Sequence, residues 1–115
     1  KAVEKMVGVF SCSEKKILAA LGPCIGPCCY EVDGPVETRF RESGLAWDAF
    51  AFSRGPQKWS LDLQEANARQ LVEAGVIREN ISRVSFCTAC RADLFFSHRR
   101  EKGMGGRHLN FISIL

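Results

Sequence analysis

Two groups of cysteines and one group of arginines hold the chemistry open to this chain. Cys87-Thr88-Ala89-Cys90 is a CxxC, and Cys24, Cys28 and Cys29 form a second cluster far upstream. Thiolates two residues apart can chelate one tetrahedral ion, so the two clusters together could build a four-cysteine zinc site. A CxxC at the start of a helix could instead be a redox pair, its thiol acidified by the helix N-terminus. The plainer alternative is that these are small buried hydrophobes. The first cluster lacks a CxxC, and prolines interrupt it, which favours the plainer alternative.

The arginines follow in Asp93-Leu94-Phe95-Phe96-Ser97-His98-Arg99-Arg100, then a glycine-rich turn, then Arg107. Guanidinium forks on both sides of a flexible turn can converge on one phosphate or carboxylate. The competing reading is a solvated basic hairpin, which charge alone would produce. His98 could move a proton, but no partner for it is visible in the sequence, so it carries no role here.

At 115 residues, with 46% hydrophobic and 25% charged residues, the chain has the composition of one small globular domain or part of one. A net charge of +3 is too mild to argue for nucleic acid. No apolar run reaches membrane-span length, and no signal peptide opens the chain. The six cysteines therefore read as thiols or ligands in a reduced, cytoplasmic setting.

The elements that must position these groups can be read in order. Val3, Met6, Val7 and Phe10 trace one face of a helix that starts without a capping residue. Ile17 to Leu21 reads as a short buried strand, and it runs into Gly22-Pro23-Cys24-Ile25-Gly26-Pro27, where two Gly-Pro pairs force a shaped loop. Asp33 is placed to cap a helix with Pro35 in its first turn, Val36 and Phe40 on one face, and Gly44 as its stop. Leu45 to Trp59 is aromatic but aperiodic, which predicts a long loop with at most one short strand and with its aromatics over the core edge. Asp62 and Glu65 form a capping box for a helix to Ala74, with Glu65–Arg69 and Arg69–Glu73 as ion pairs on its wet side. Ile81 to Phe86 predicts a strand, and the sequon Asn80-Ile81-Ser82 at its start is discounted without a signal peptide. Leu109 to Leu115 predicts a last strand buried on both faces. The sum is an α+β (α/β layered) fold, a mixed sheet covered by helices.

With the two long motifs side by side, the chain resembles the YfiH-type, laccase-domain family, also called multicopper polyphenol oxidase-like. The stretch from Gly22 to Val32 is similar to the family's "GP-x-IGPCCYEV" loop. Cys87-Thr88, then Asp93 to Arg100, then Gly106-Arg107, is similar to its "CT…DLFFSHRR…GR" ending. The resemblance covers nearly the whole chain. It implies a zinc-dependent purine nucleoside enzyme: phosphorolysis of adenosine, inosine or methylthioadenosine, and adenosine deamination. The older family name implies copper and phenol oxidation. It also implies a metal held by two histidines and a cysteine upstream, one histidine in a His-Ala-Gly-Trp-Arg-Gly motif that this chain lacks. Residues 1–115 are accordingly expected to be the C-terminal portion of one such domain, catalytically incomplete alone, with the N-terminal portion as partner. No metal ligand and no catalytic residue is assigned to them.

What chemistry asks of such a portion is an oriented phosphate. Arg99, Arg100 and Arg107 are the expected phosphate or pocket contacts, with Ser97 and Thr88 as hydroxyl donors. Two rival readings remain: a small structural zinc or thiol module built on the cysteines, and a basic module gripping an anion or nucleic acid, which the lack of interleaved aromatics disfavours. A chain that presents a core face meant for another portion should also self-associate, and a monodisperse monomer would count against that expectation.

Overall fold

Asp62 does what its position predicts: its Oδ1 accepts a hydrogen bond from Glu65 N at 3.0 Å and starts helix α3 (Leu63–Glu73). The computed structural model describes residues 1–113. Two more helices precede α3 among the described residues, α1 (Ala2–Phe10) and α2 (Gly34–Glu42). As predicted, α1 begins with no side-chain cap. Gly44 and Gly75, at φ of 78° and 99°, follow α2 and α3 in the left-handed region that lets a helix end sharply.

Among the described residues, five strands make two sheets. Strands β1 (Ala19–Leu21) and β5 (Ile81–Arg83) pair in parallel, Ala19 opposite Ile81 and Leu21 opposite Arg83. Strands β2 (Glu31–Asp33), β3 (Ala51–Gly55) and β4 (Lys58–Leu61) form an antiparallel sheet in the order β2-β4-β3. This is the mixed α/β architecture expected, with the parallel and antiparallel pairings in separate sheets. A core of Val32, Trp47, Phe50, Ala51, Leu61 and Ala66 fills the space between the antiparallel sheet and α2 and α3. A smaller cluster of Val3, Ile17 and Val76 seats α1 against the end of α3.

The structure departs from the sequence pattern in two places. The stretch 45–59 is not a long loop: it supplies β3 and, with Lys58 and Trp59, the start of β4. Its hairpin hides from pattern analysis because β3 buries only Ala51 and its pairing slips between Ser53 and Gly55, so no apolar alternation survives. Trp47 and Phe50 are core residues and not a cover at its edge. At the other end, 109–113 form no strand, and Leu109, Phe111 and Ile112 are each more than 80% exposed. An apolar run becomes a strand only through a backbone ladder, and 109–113 make none with the described strands, although Ile112 lines a cleft with Ala19, Ala20 and Ser82. The remainder of that predicted strand, Ile114 and Leu115, lies outside the described residues.

One ion cluster ties α3 to β5. Glu65 receives Arg83 Nη1 at 2.8 Å, Arg78 Nη2 at 3.1 Å and Arg69 Nε at 2.9 Å. The first of these is across elements, whereas the predicted Arg69–Glu73 pair is replaced by this convergence. Burial works to raise the Glu65 pKa, but the three guanidinium groups outweigh it and hold the carboxyl below the usual glutamate range. Its stabilising contribution is therefore fully present above that range and is lost as pH falls through the lowered pKa. Glu65→Gln is expected to cost about 1–2 kcal/mol near neutral pH, by analogy with charged hydrogen bonds. The difference from the parent should shrink on acidification, and urea titrations at several pH values measure it. A constant difference down to strongly acid pH would contradict this reading.

Candidate functional site

Strands β1 and β5 end side by side, and the chain continues from both in parallel. Val84 N donates to Leu21 O at 3.1 Å, and Thr88 N donates to Cys24 O at 3.0 Å, so Cys24 and Cys87 form a further parallel bridge. Gln64, from the first turn of α3, donates to both Gly22 O (3.1 Å) and Val84 O (2.7 Å) and stitches the two segments together. The Gly-Pro loop and the CxxC, 61 residues apart at Gly26 and Cys87, thereby become neighbours.

The sulfurs of Cys28, Cys29, Cys87 and Cys90 all lie within 4.8 Å of one another. Cys90 Sγ is 3.6 Å from Cys28 Sγ and 3.4 Å from Cys29 Sγ. Cys24 stands apart from this quartet, and all six cysteines are unpaired. Burial works to raise the Cys87 thiol, but the amides of Gly26, Cys90 and Ala89 and the Cys28 side chain prevail and bring it down to about 6. Cys29 goes the other way, pushed up to about 12 by its contact with Cys90 and then by burial. Gly26 is confined: a Cβ there would sit 3.2 Å from Cys87 Cβ and 3.3 Å from Cys28 Sγ. Gly26→Ala is expected to destabilise by about 1–3 kcal/mol through crowding, and a thermal melt checks it. A melting point equal to the parent's would show that the loop yields freely.

Beside the quartet opens a cleft of about 390 Å³, lined by Tyr30, Thr88, Ser97, His98, Arg99 and His108 among others. Three of the five residues singled out from the sequence, Thr88, Ser97 and Arg99, meet here. Thr88 and Ser97 are buried, and the Arg99 guanidinium lies 5.2 Å from the centre of the Tyr30 ring. The other two are placed differently. Arg100 turns inward: Nη1 donates to Thr88 O (2.8 Å) and Ala89 O (2.9 Å), and Nη2 donates to Phe95 O (2.8 Å) and meets Glu101 Oε1 (2.6 Å). It braces the CxxC turn and leaves little donor capacity for a ligand. Arg107 is exposed and outside the cleft lining.

Tyr30 and His108 were not singled out from sequence. Tyr30 carried a signal, an aromatic directly after the rigid Gly-Pro loop. His108 carried none beyond being one of two histidines. Its Nε2 accepts from Phe96 N at 3.0 Å, and its ring packs against Phe95 and Phe96 at 5.6 and 5.7 Å. That tautomer leaves Nδ1 as a donor.

Among the described residues the cysteine quartet is the one group of three or more side chains able to share a metal. Neither histidine joins it, so the histidine-bearing metal centre that the resemblance implies does not fit these residues, and no step is derived through it.

A mixed α/β domain with a cysteine-built corner and a cleft lined by Arg99, Thr88 and Ser97 defines the class. The whole chain, residues 1–115, matches the family described as multi-copper polyphenol oxidoreductase laccase, and the chain belongs to that family. It is 46% identical over 101 residues to purine nucleoside phosphorylase YlmD of Geobacillus stearothermophilus, covering 84% of this chain and 35% of that protein. It is 31% identical over 116 residues to a human purine nucleoside phosphorylase, covering 97% of this chain and 26% of that protein. The crystal structure of Geobacillus YlmD superimposes with a TM-score of 0.85 at 38% identity, over 91% of this chain and 39% of that one. Bacillus licheniformis YfiH gives the same TM-score at 36% identity, over 89% and 39%. The chain thus spans about a third of the length of the curated relatives it matches. No helix among the described residues is long and apolar enough to cross a membrane.

Proposed function

We propose that this chain supplies the phosphate-binding wall of a purine nucleoside phosphorylase. In phosphorolysis a phosphate oxygen bonds to the ribose C1′ as the bond from C1′ to the purine nitrogen breaks. The electron pair leaves with the base, and the products are the free purine and ribose 1-phosphate. Phosphate must be held in line and its charge shared among fixed donors. Arg99 offers a guanidinium fork, and Thr88 and Ser97 offer hydroxyls from separate turns of the same cleft. That convergence is the observation that carries the reading, and the names of the relatives support it. Tyr30 under the guanidinium holds the fork in place and offers an apolar face.

The substrates are adenosine, inosine or methylthioadenosine with phosphate, and adenosine deamination belongs to the same proposal. The zinc implied by the resemblance is assigned to the part of the relatives that this chain does not span, as residues 1–115 are taken for the C-terminal portion of one domain. That absent portion is the natural partner, which the exposed Phe10, Leu18, Leu109 and Phe111 support. Six unpaired thiols support a reducing, cytoplasmic setting. The test is product analysis with a protein spanning the relatives' full length. Equal amounts of free purine and ribose 1-phosphate are expected from inosine, and free ribose in place of the phosphate ester would reject the reading.

A further inference from the structure

We infer that Cys28, Cys29, Cys87 and Cys90 form a binding site for one tetrahedral divalent metal ion of the zinc class, which cross-links the two segments that leave the parallel sheet. The inference does not rest on the phosphorolysis reading. A tetrahedral ion with metal–sulfur bonds of about 2.3 Å spaces its four sulfurs about 3.8 Å apart. The quartet is already close to that shape, with two sulfur–sulfur distances of 3.4 and 3.6 Å and every pair within 4.8 Å. The donor set is all sulfur, which selects soft tetrahedral ions over magnesium, calcium or manganese.

Both halves of the site are held by the backbone before any ion arrives. In the upstream half, Cys29 N and Tyr30 N both donate to Gly26 O at 3.0 Å, which folds the turn that carries Cys28 and Cys29. In the downstream half, Arg91 N donates to Cys87 O at 3.1 Å and closes the CxxC turn. Gly26 N then crosses from one half to the other and donates to Cys87 Sγ at 3.2 Å. An amide aimed at a ligating sulfur supports a metal-bound thiolate in the way outer-shell donors do. Arg100 fixes the CxxC from behind through Thr88 O and Ala89 O, and so acts as a positioning residue.

The fold has a use for such a link. Strands β1 and β5 pair over only three residues, and beyond Arg83 the described chain has no further helix or strand. A two-stranded pair this short is marginal alone. Each thiol still protonated when it binds the ion releases its proton to solvent, and the four new metal–sulfur bonds tie residues 28–29 to residues 87–90.

The experiment uses the chain as it is, purified under reduction, stripped with a strong chelator and titrated with Co²⁺ and then Zn²⁺. Co²⁺ should give the thiolate charge-transfer band and the visible bands of a tetrahedral four-sulfur site, saturating at one ion per chain, with Zn²⁺ displacing it. In the zinc form a thiol reagent should modify only Cys12 and Cys24 rapidly. Cys90→Ser should weaken cobalt binding by more than the roughly 10–100-fold that loss of a supporting residue costs, and Arg100→Ala by about that factor. Cys12→Ser, outside the quartet, should bind as the parent does. Since Cys90→Ser could also misfold, the thiol-protection pattern of the unmutated chain decides independently. No tetrahedral cobalt spectrum, equal reactivity of all the thiols with zinc present, or full binding by Cys90→Ser would each overturn the site.

Discussion

Phe50→Ala is expected to destabilise the protein by about 3–5 kcal/mol, the cost of removing a buried aromatic and leaving its cavity. Phe50 is fully buried and touches the core from all sides: Phe40 and Trp47 lie with ring centres 5.6 and 6.0 Å away, in tilted and edge-on arrangements. Its backbone also matters, because Phe50 O accepts from Asp62 N at 2.8 Å and joins the β3 hairpin to the start of α3. That bond survives the substitution, so the measured loss reports packing. Trp47 is a less clean probe. Its indole nitrogen is buried without a hydrogen-bond partner among the described residues, so Trp47→Ala would mix lost packing with relief of an unpaired donor. Small domains hold about 5–15 kcal/mol in all, so Phe50→Ala should remove a large share of it. Urea unfolding followed by Trp fluorescence measures the change, and a loss below about 1 kcal/mol would mean that the core around Phe50 is not packed as described.

Arg99→Ala, in a protein spanning the relatives' full length, is expected to raise KM for phosphate about 10- to 100-fold. That is the effect of losing one charge-assisted hydrogen bond worth about 1.5–3 kcal/mol. Arg99→Lys should recover part of it, since an ammonium keeps the charge but not the planar fork. The KM for nucleoside should move far less, because the side chain is assigned to phosphate alone. Arg100→Ala should behave differently from Arg99→Ala despite adjoining it. Arg100 is committed to Thr88 O, Ala89 O and Phe95 O, so its loss should disturb stability and metal binding together with phosphate affinity. Equal phosphate KM for the parent and Arg99→Ala would remove Arg99 from the site.

How much of this could be read from sequence differs from residue to residue. The α3 cap at Asp62, the α2 stop at Gly44 and the uncapped α1 are local signals, carried by side chains within a turn of the event they control. Those survive folding because nothing distant competes with them. The β3–β4 hairpin is set by long-range packing of Trp47, Phe50 and Trp59 against α2, so a periodicity scan finds nothing there. The run at 109–113 has strand composition but makes no ladder with the described strands, and composition cannot supply one. At the site, the motifs named the right segments without saying which face of each turn would look inward. Two adjacent arginines in the same motif therefore end up in opposite roles, Arg99 in the cleft and Arg100 beneath the CxxC. The cysteine clusters show the same limit. The spacing suggests a four-cysteine set drawn from five candidates, and only the folded turns that bring Cys28 and Cys29 to Cys90 show that Cys24 is the one left out.

We propose that this chain's cleft binds the phosphate of a phosphorolysis. The most direct measurement is the initial rate of hypoxanthine release from inosine by a protein spanning the relatives' full length as inorganic phosphate is varied from zero. No release is expected without phosphate, a saturating rise with it, and a curve displaced to higher phosphate in Arg99→Ala. A rate indifferent to phosphate, or identical curves for the parent and Arg99→Ala, would contradict it.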